Sequence, residues 1–234
     1  MSLDRDHLKS AAAKRAVEFV ESGMVIGLGT GSTADFVVEE LAARVARGLA
    51  IVAIPTSEHT AGLARRLGIP LASFSEHSRI DLAIDGADEV ERATLDLIKG
   101  RGGALLREKI VAAASQRFIV VVDQEKLVDR LGEHMPVPVE VAQFGWQATA
   151  AALENLGAEA ELRQDGGQPF VTDGGNFIVD CHFGPIVNPQ HTERLVKMTV
   201  GVVESGLFIG RSSAVIVATD SGVDIMTCPG GKMR

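Results

Sequence analysis

The sequence predicts an α/β fold: a mostly parallel sheet covered by helices, with a small α+β domain inserted into it. Three observations predict it. Short apolar runs alternate with stretches of helical period through the first half of the chain. Several of those runs end in glycines, hydroxyls or carboxylates, as strands do at the ligand-binding edge of an open parallel sheet. Near Pro136 the alternation breaks, and the following segments read β-α-β-β-α.

Residues 4–21 read as a helix, because Leu8, Ala12, Ala16 and Phe19 recur at helical spacing and Gly23 stands where a terminator belongs. Residues 24–28 (MVIGL) form a short buried strand that runs into a Gly-rich turn. Residues 33–47 form an amphipathic helix, and residues 49–54 a second strand closed by Pro55. A helix over 60–67, a strand over 80–84, a helix over 107–115 and a strand over 118–122 continue the pattern. Residues 137–141 alternate like an edge strand. A helix over 146–156, a strand over 158–163, a hairpin around Thr172-Asp-Gly-Gly-Asn and a helix over 193–198 complete the small unit. Residues 206–209 and 214–218 then return as strands. The expected organisation is a Rossmann-like catalytic domain, residues 1–132 and 205–234, with a ferredoxin-like insertion over 133–204.

The chain has 234 residues, 46% of them hydrophobic, so a packed core is expected and disorder is not. The net charge is -8 and no Lys/Arg block occurs, which argues against a nucleic-acid partner. An acidic protein that binds an anion must gather positive charge locally, at lysines or helix N-termini. Cys181 and Cys228 lack metal-ligand spacing and read as two free thiols of a cytoplasmic protein. The start, from Met1 through Asp6, is charged and polar and does not read as a signal peptide. No apolar run approaches the roughly 20 residues of a membrane span.

Four segments carry chemistry. Gly27-Leu28-Gly29-Thr30-Gly31-Ser32-Thr33 lies between a strand and a helix, where backbone N–H groups, hydroxyls and the helix dipole can cradle a phosphate. Its bland alternative is a tight turn capped by Ser32 or Thr33. It is not a dinucleotide fingerprint: position 32 is Ser, and the second strand ends without a ribose-binding acid. Nor is it a P-loop, since no Gly-Lys-Ser/Thr follows. The run Asp81-Leu-Ala-Ile-Asp85-Gly86-Ala87-Asp88-Glu89 ends a strand in carboxylates. Asp85 and Asp88 could hold hydroxyls or move protons, or could be the solvated acids of an Asp-Gly turn. Lys99-Gly100-Arg101-Gly102-Gly103 can wrap a small ligand around a fixed cation. Glu108 follows in the first turn of a helix, where an acid also simply complements the dipole. Finally, Asp123-Gln124-Glu125-Lys126 ends another strand, and Lys126 reads either as a phosphate ligand or as a solvated loop lysine. Polar groups gathered at several strand ends of one sheet edge are harder to dismiss than any one of them. The histidines are isolated and show no such pattern.

The ordered set GLGTGSTA (27–34), IPTS (54–57), DLAIDGADEV (81–90), KGRGGALLREKI (99–110), VVDQEKLVDRLG (121–132), PVPVEV (136–141) and VTDGGNFIVD (171–180) resembles the type A ribose-5-phosphate isomerase family over nearly the whole chain. The resemblance implies interconversion of ribose 5-phosphate and ribulose 5-phosphate, a step of the non-oxidative pentose phosphate pathway. It implies no cofactor, no metal and no membrane association, and a homodimer or a dimer of dimers. Thr30, Gly31, Ser32 and Thr33 match the family's substrate-binding turn. Asp85, Gly86, Ala87 and Asp88 match its acidic loop. Lys99, Gly100, Arg101 and Gly102 match its lysine–glycine loop, where Arg101 replaces a small residue of some relatives. Glu108 matches the catalytic base, and Lys126 and Lys9 match lysines on the phosphate side. The implied mechanism runs through an enediolate, with Asp85 and Lys99 as further catalytic groups. A sugar-phosphate-sensing regulator would need a DNA-binding helix-turn-helix, for which neither end has basic charge. A dinucleotide-dependent oxidoreductase is disfavoured by the departures of the glycine turn noted above.

Overall fold

The computed structural model describes residues 2–227. In chain order it begins α1 (Ser2–Val17), β1 (Val25–Leu28), α2 (Ser32–Val45), β2 (Val52–Pro55), α3 (Glu58–Arg66) and β3 (Ile80–Asp85). Then come β4 (Glu89–Glu91), β5 (Leu97–Ile98), α4 (Leu105–Ala114), β6 (Ser115–Asp123), a single 3₁₀ turn (Gln124–Lys126) and β7 (Leu127–Val128). Next are β8 (Val137–Val141), α5 (Trp146–Glu154), β9 (Glu159–Leu162), β10 (Gln164–Asp165), β11 (Gln168–Pro169) and β12 (Phe177–His182). The chain closes with α6 (Pro189–Met198), β13 (Val202–Ser205), β14 (Leu207–Phe208), β15 (Ala214–Thr219) and β16 (Gly222–Met226). It divides into two compact units: residues up to 87, 107–126 and from 211 on form the first, and 88–106 with 127–210 the second.

The first unit is an α/β layer structure built on a six-stranded sheet of order β16-β15-β6-β3-β1-β2. All pairings are parallel except β15–β16. Strand alternation explains the layering. Ile26 and Leu28 of β1, with Leu82 and Ile84 of β3, join Ala12 and Ala16 of α1 and Val37, Val38 and Leu41 of α2 in one core. Gly27, between Ile26 and Leu28, turns to the opposite face and lies against Val111 of α4. A side chain there would collide with Val111 and Ala83, so the Gly in the MVIGL run is a packing requirement. Full burial of a side chain such as Leu41 contributes about 1.5–3 kcal/mol. Because β1 has β2 on one side and β3 on the other, successive crossovers part at its C-terminal end. Such a switch point opens a crevice where ligands bind in doubly wound sheets.

The second unit holds the four-stranded antiparallel sheet β13-β8-β12-β9, with α5 and α6 supplying Leu153 and Val196 to its core. Its order β8-α5-β9-β12-α6-β13 is the β-α-β-β-α-β arrangement. A second small sheet, β14-β5-β4-β7, belongs to the same unit. This division differs from the sequence-drawn boundaries at 88–106, 127–132 and 205–210, whose two- and three-residue strands pair with one another.

Several elements depart from expectation. Residues 137–141 form a central strand, not an edge: β8 lies between β13 and β12. Its alternation misled because Glu140 is buried, its carboxylate accepting from Thr172 Oγ1 and Asn176 Nδ2 at 2.9 Å each. Pro138 is tolerated there because β13 pairs with β8 only from Val139 onward. Pro55 lies inside β2, opposite Leu28, which an edge strand allows. Residues 206–209 do not return to the parallel sheet, since Leu207 and Phe208 pair with Ile98 and Leu97. The helix expected over 193–198 begins earlier, at Pro189, with the Asn188 side chain accepting from His191 N–H at 3.0 Å. Cys181 is a buried free thiol, and Cys228 lies outside the described residues. Among the described residues no helix is long and apolar enough to cross a membrane.

Candidate active site

The glycine turn, Asp85 and Lys9 of the first unit meet at the switch point. The turn after β1 is fastened to the end of β3: Gly29 N–H donates to Ile84 O at 3.0 Å, and Thr30 N–H to Asp85 Oδ1 at 3.1 Å. A Cβ at Gly29 would fall on Asp85, so only glycine allows this approach. Gly31 has φ 110°, a region glycine favours, and leads straight into α2 at Ser32. The exposed Ser32 and part-exposed Thr33 therefore occupy the first turn of a 14-residue helix, where N–H groups have no intrahelical acceptor. Lys9 of α1 reaches this helix end, its Nζ 3.1 Å from Ser32 Oγ. A helix N-terminus and an ammonium side by side favour an anion. Lys126 ends the 3₁₀ turn after β6 and is half-buried.

Beneath the turn lies a set of hydroxyls that sequence reasoning did not single out. Thr30 Oγ1 stands 2.6 Å from Thr56 Oγ1 and donates to Ser57 Oγ at 2.8 Å. Ser57 donates to Thr60 Oγ1 at 3.0 Å, and Thr60 donates to Gly29 O at 2.9 Å. Taken with Thr56 as first donor, the protons run in one direction and end on the turn's own carbonyl. Such chains strengthen cooperatively. Ser57 also caps α3 by accepting from Thr60 N–H. The available signal was the density of hydroxyls at 56, 57 and 60, directly after the second strand.

The carboxylates of 81–89 separate by role. Asp81 accepts from Val25 N–H at 2.8 Å, at the start of β3 and away from its C-terminal end. Glu89, in the second unit, is buried and accepts from the N–H groups of Gly132, His134 and Met135 at 2.6–2.8 Å, a loop anchor. Asp85 ends β3, is 3% exposed, and accepts from both Thr30 and Gly86 N–H through Oδ1. Gly86 lies beside the Thr33 side chain and precedes the part-exposed Ala87.

Glu108 is 3% exposed, far from the solvated acid that its helix-start position suggested. Its place follows from α4. Val111, three residues on, packs under Gly27 of β1. Residues three apart share a helix face. The C-terminus of α4 leads directly into the start of β6, so its N-terminus points to the C-terminal edge of the sheet. Glu108 thus lies about one turn, ~5 Å, nearer that edge than Val111. That is the level of the Gly29 turn and Asp85.

The remaining candidates belong to the second unit. Asp88 N–H donates to Ile98 O at 2.8 Å, which sets Asp88 beside Lys99. Lys99 is 2% exposed; its N–H donates to Gly206 O at 2.9 Å, and its Nζ lies 5.7 Å from the centre of the Phe208 ring, a cation–π contact. Gly100 has φ 111° and starts a turn closed by Gly103 N–H donating to Gly100 O at 3.0 Å. Arg101 and Gly102 are its exposed tip, and Arg101 N–H donates to Asp88 Oδ2 at 2.9 Å. Among the described residues no group of three or more His, Cys, Asp or Glu side chains is placed to hold a metal ion.

Known proteins resemble this chain along almost its full length. The family described as Ribose 5-phosphate isomerase A (phosphoriboisomerase A) matches residues 52–222. The chain is 62% identical to the protein named ribose-5-phosphate isomerase A of Gloeobacter violaceus, over 96% of this chain and 98% of that protein. It is 49% identical to a probable chloroplastic ribose-5-phosphate isomerase 3 of Arabidopsis thaliana, over 97% of this chain and 85% of the relative. The solved structure of ribose 5-phosphate isomerase A from Methanocaldococcus jannaschii superimposes with a TM-score of 0.91 at 43% identity, covering 94% and 98% of the two chains. A D-ribose-5-phosphate isomerase solved in complex with phospho-erythronic acid gives 0.92 at 44% identity, covering 95% and 99%. The chain belongs to the ribose 5-phosphate isomerase A family.

Proposed function

We infer that Glu108, Asp85 and Lys99 carry the chemistry of this chain, and that the Gly29–Thr33 turn, Lys9 and Lys126 hold its phosphate. The chain is an aldose–ketose isomerase that interconverts ribose 5-phosphate and ribulose 5-phosphate. The observation that carries the assignment is the buried carboxylate of Asp85 at the strand edge where a helix N-terminus and Lys9 favour an anion, and it is supported by the burial of Glu108 in the first turn of α4.

In the proposed mechanism the furanose opens first, with Asp85 moving the proton at the ring oxygen. Glu108 then takes the proton from C2 and returns it to C1. A single carboxylate serves both carbons because they are adjacent. Electrons released from the C2–H bond form the C1–C2 double bond and push the carbonyl pair onto O1, giving the enediolate, and Lys99 stabilises that charge as it develops. The O2 hydroxyl proton passes to O1, a transfer for which Asp85 is the carbonyl-side candidate, so that protonation at C1 leaves the C2 ketone. Asp88 orients substrate hydroxyls and fixes the glycine loop through Arg101 N–H. Gly86, Ala87, Gly100 and Gly102 bring backbone close to the sugar. The phosphate binds ground and transition states alike, so its ligands act mainly on KM.

The wider reading is a cytoplasmic protein that assembles as a homodimer or a dimer of dimers. Exposed apolar side chains of the second unit, Phe144, Met198 and Val200, support self-association: they are 98%, 74% and 91% exposed in the single chain. Residues 133–204, read as an inserted domain, belong to the same proposal. Turnover of ribose 5-phosphate by purified protein, followed as ketopentose formation, tests the central reading. Activity is expected without added metal or nucleotide and unchanged by EDTA. Loss to EDTA with recovery on one divalent ion would contradict a mechanism that runs on side chains alone.

A further inference from the structure

The turn after Lys99 is held from two directions within the second unit. Asp88 holds the Arg101 N–H, and Arg163, just beyond β9, holds the carbonyls. Arg163 Nη1 donates to Gly100 O at 2.7 Å and to Arg101 O at 3.1 Å. Its other side forms a two-pronged pair with Asp180 of β12: Nε donates to Oδ2 at 2.9 Å and Nη2 to Oδ1 at 2.5 Å. Four of the five N–H groups of a guanidinium are thereby committed inside the protein. The Arg163 side chain is 15% exposed and its charge is matched by Asp180, so it is built as a brace and not as a ligand for phosphate. Phe170, whose N–H donates to Arg163 O, lays its ring against Gly103 and closes the far end of the turn.

Peptide geometry gives this brace a direction. In a trans peptide the N–H points opposite to the C=O. With Arg101 O drawn to Arg163, the Gly102 N–H is turned the other way, at the exposed tip of the loop. Lys99 is fastened separately, through its own N–H on Gly206 O.

We propose that Arg163, braced by Asp180, is a positioning residue for substrate binding: it holds the carbonyls of Gly100 and Arg101 so that the Gly102 N–H is presented to an oxygen of the bound sugar phosphate. The inference rests on the assignment of the lysine–glycine loop to the substrate. Arg163 acts on the backbone of 100–102 and leaves the Lys99 anchor in place, so its loss weakens binding more than turnover.

Arg163→Lys keeps the charge beside Asp180 but cannot grip a carboxylate and two carbonyls at once. Asp180→Asn keeps the shape and loosens the fork. Each variant is expected to raise KM for ribose 5-phosphate by about tenfold while kcat stays within about threefold, and to speed amide hydrogen exchange at Gly103. A purely structural pair would lower the melting temperature and leave KM of the folded enzyme unchanged. That result, a fall confined to kcat, or failure of both variants to fold would overturn the proposal. Lys99→Ala is measured alongside. Near-normal turnover there would remove the loop assignment itself, whereas lost turnover there with wild-type KM in Arg163→Lys would remove only the brace.

Discussion

Cys181 illustrates how place in the fold fixes the behaviour of one side chain. It is fully buried in the second unit, and burial, then the neighbouring charges of Asp180 and Glu154, push its thiol up to about 12. The native protein therefore holds the proton where an unfolded chain, with the thiol near its ordinary 9.0, releases it. Stability must fall as pH rises from about 9 to about 12, because the native state binds more protons in that window. The expected result is that Cys181 does not react with a thiol reagent at pH 8 until urea unfolds the chain; rapid labelling of Cys181 in the native protein, located by peptide mapping, would contradict it. The sequence read this cysteine as a free thiol, and composition sufficed for that. Glu108 was harder. Taken alone, its sequence position favours a dipole-complementing surface acid; the fold buries it, with Val111 of the same helix under Gly27, so it is not a solvated one. The carboxylates of 81–89 looked alike in the sequence, and only the fold sends Asp81 to the start of β3 and Glu89 into a loop anchor.

At the scale of elements, the glycine turn was legible because glycines and hydroxyls between an apolar run and a helix have few other uses. Its support was not. Thr56, Ser57 and Thr60 lie some thirty residues away in the chain, and no local pattern says that they meet Thr30. Thr60→Val keeps the shape but removes the donor to Gly29 O and the acceptor for Ser57. It is expected to cost about 1–3 kcal/mol, the penalty for leaving buried polar groups unsatisfied. KM for ribose 5-phosphate should rise with it, since the turn that the relay supports carries the proposed phosphate site. Urea titration and a Michaelis series measure the two effects, and a wild-type midpoint with wild-type KM would contradict the support role. Strands of two or three residues, β4, β5 and β7, escaped prediction because so short a run has no measurable period. β8 was misjudged for the opposite reason: its alternation is real, but its polar position is satisfied internally by Thr172 and Asn176.

For the molecule as a whole, the chain alternates between two units, and the candidate residues follow it. Asp85, Glu108, Lys9 and Lys126 belong to the first unit, and Asp88 and Lys99 to the second. The α/β class was readable from alternating periods, and the function from the ordered motifs. The unit boundaries were less readable, because 88–106 joins the second unit through strand pairs that are distant in sequence. The central claim is that this architecture makes Glu108 the base that moves one proton between C2 and C1. Glu108→Gln keeps the size of the side chain and removes its basicity. As a helix-start acid alone, Glu108 would contribute about 0.3–1 kcal/mol to stability and nothing to chemistry. As general base, its loss should lower kcat by roughly 10²–10⁴-fold or more. The deciding measurement is kcat of folded Glu108→Gln on ribose 5-phosphate at saturation. A fall of that size, with substrate still bound, is the predicted result; near wild-type kcat would contradict the assignment and pass the role to Asp85.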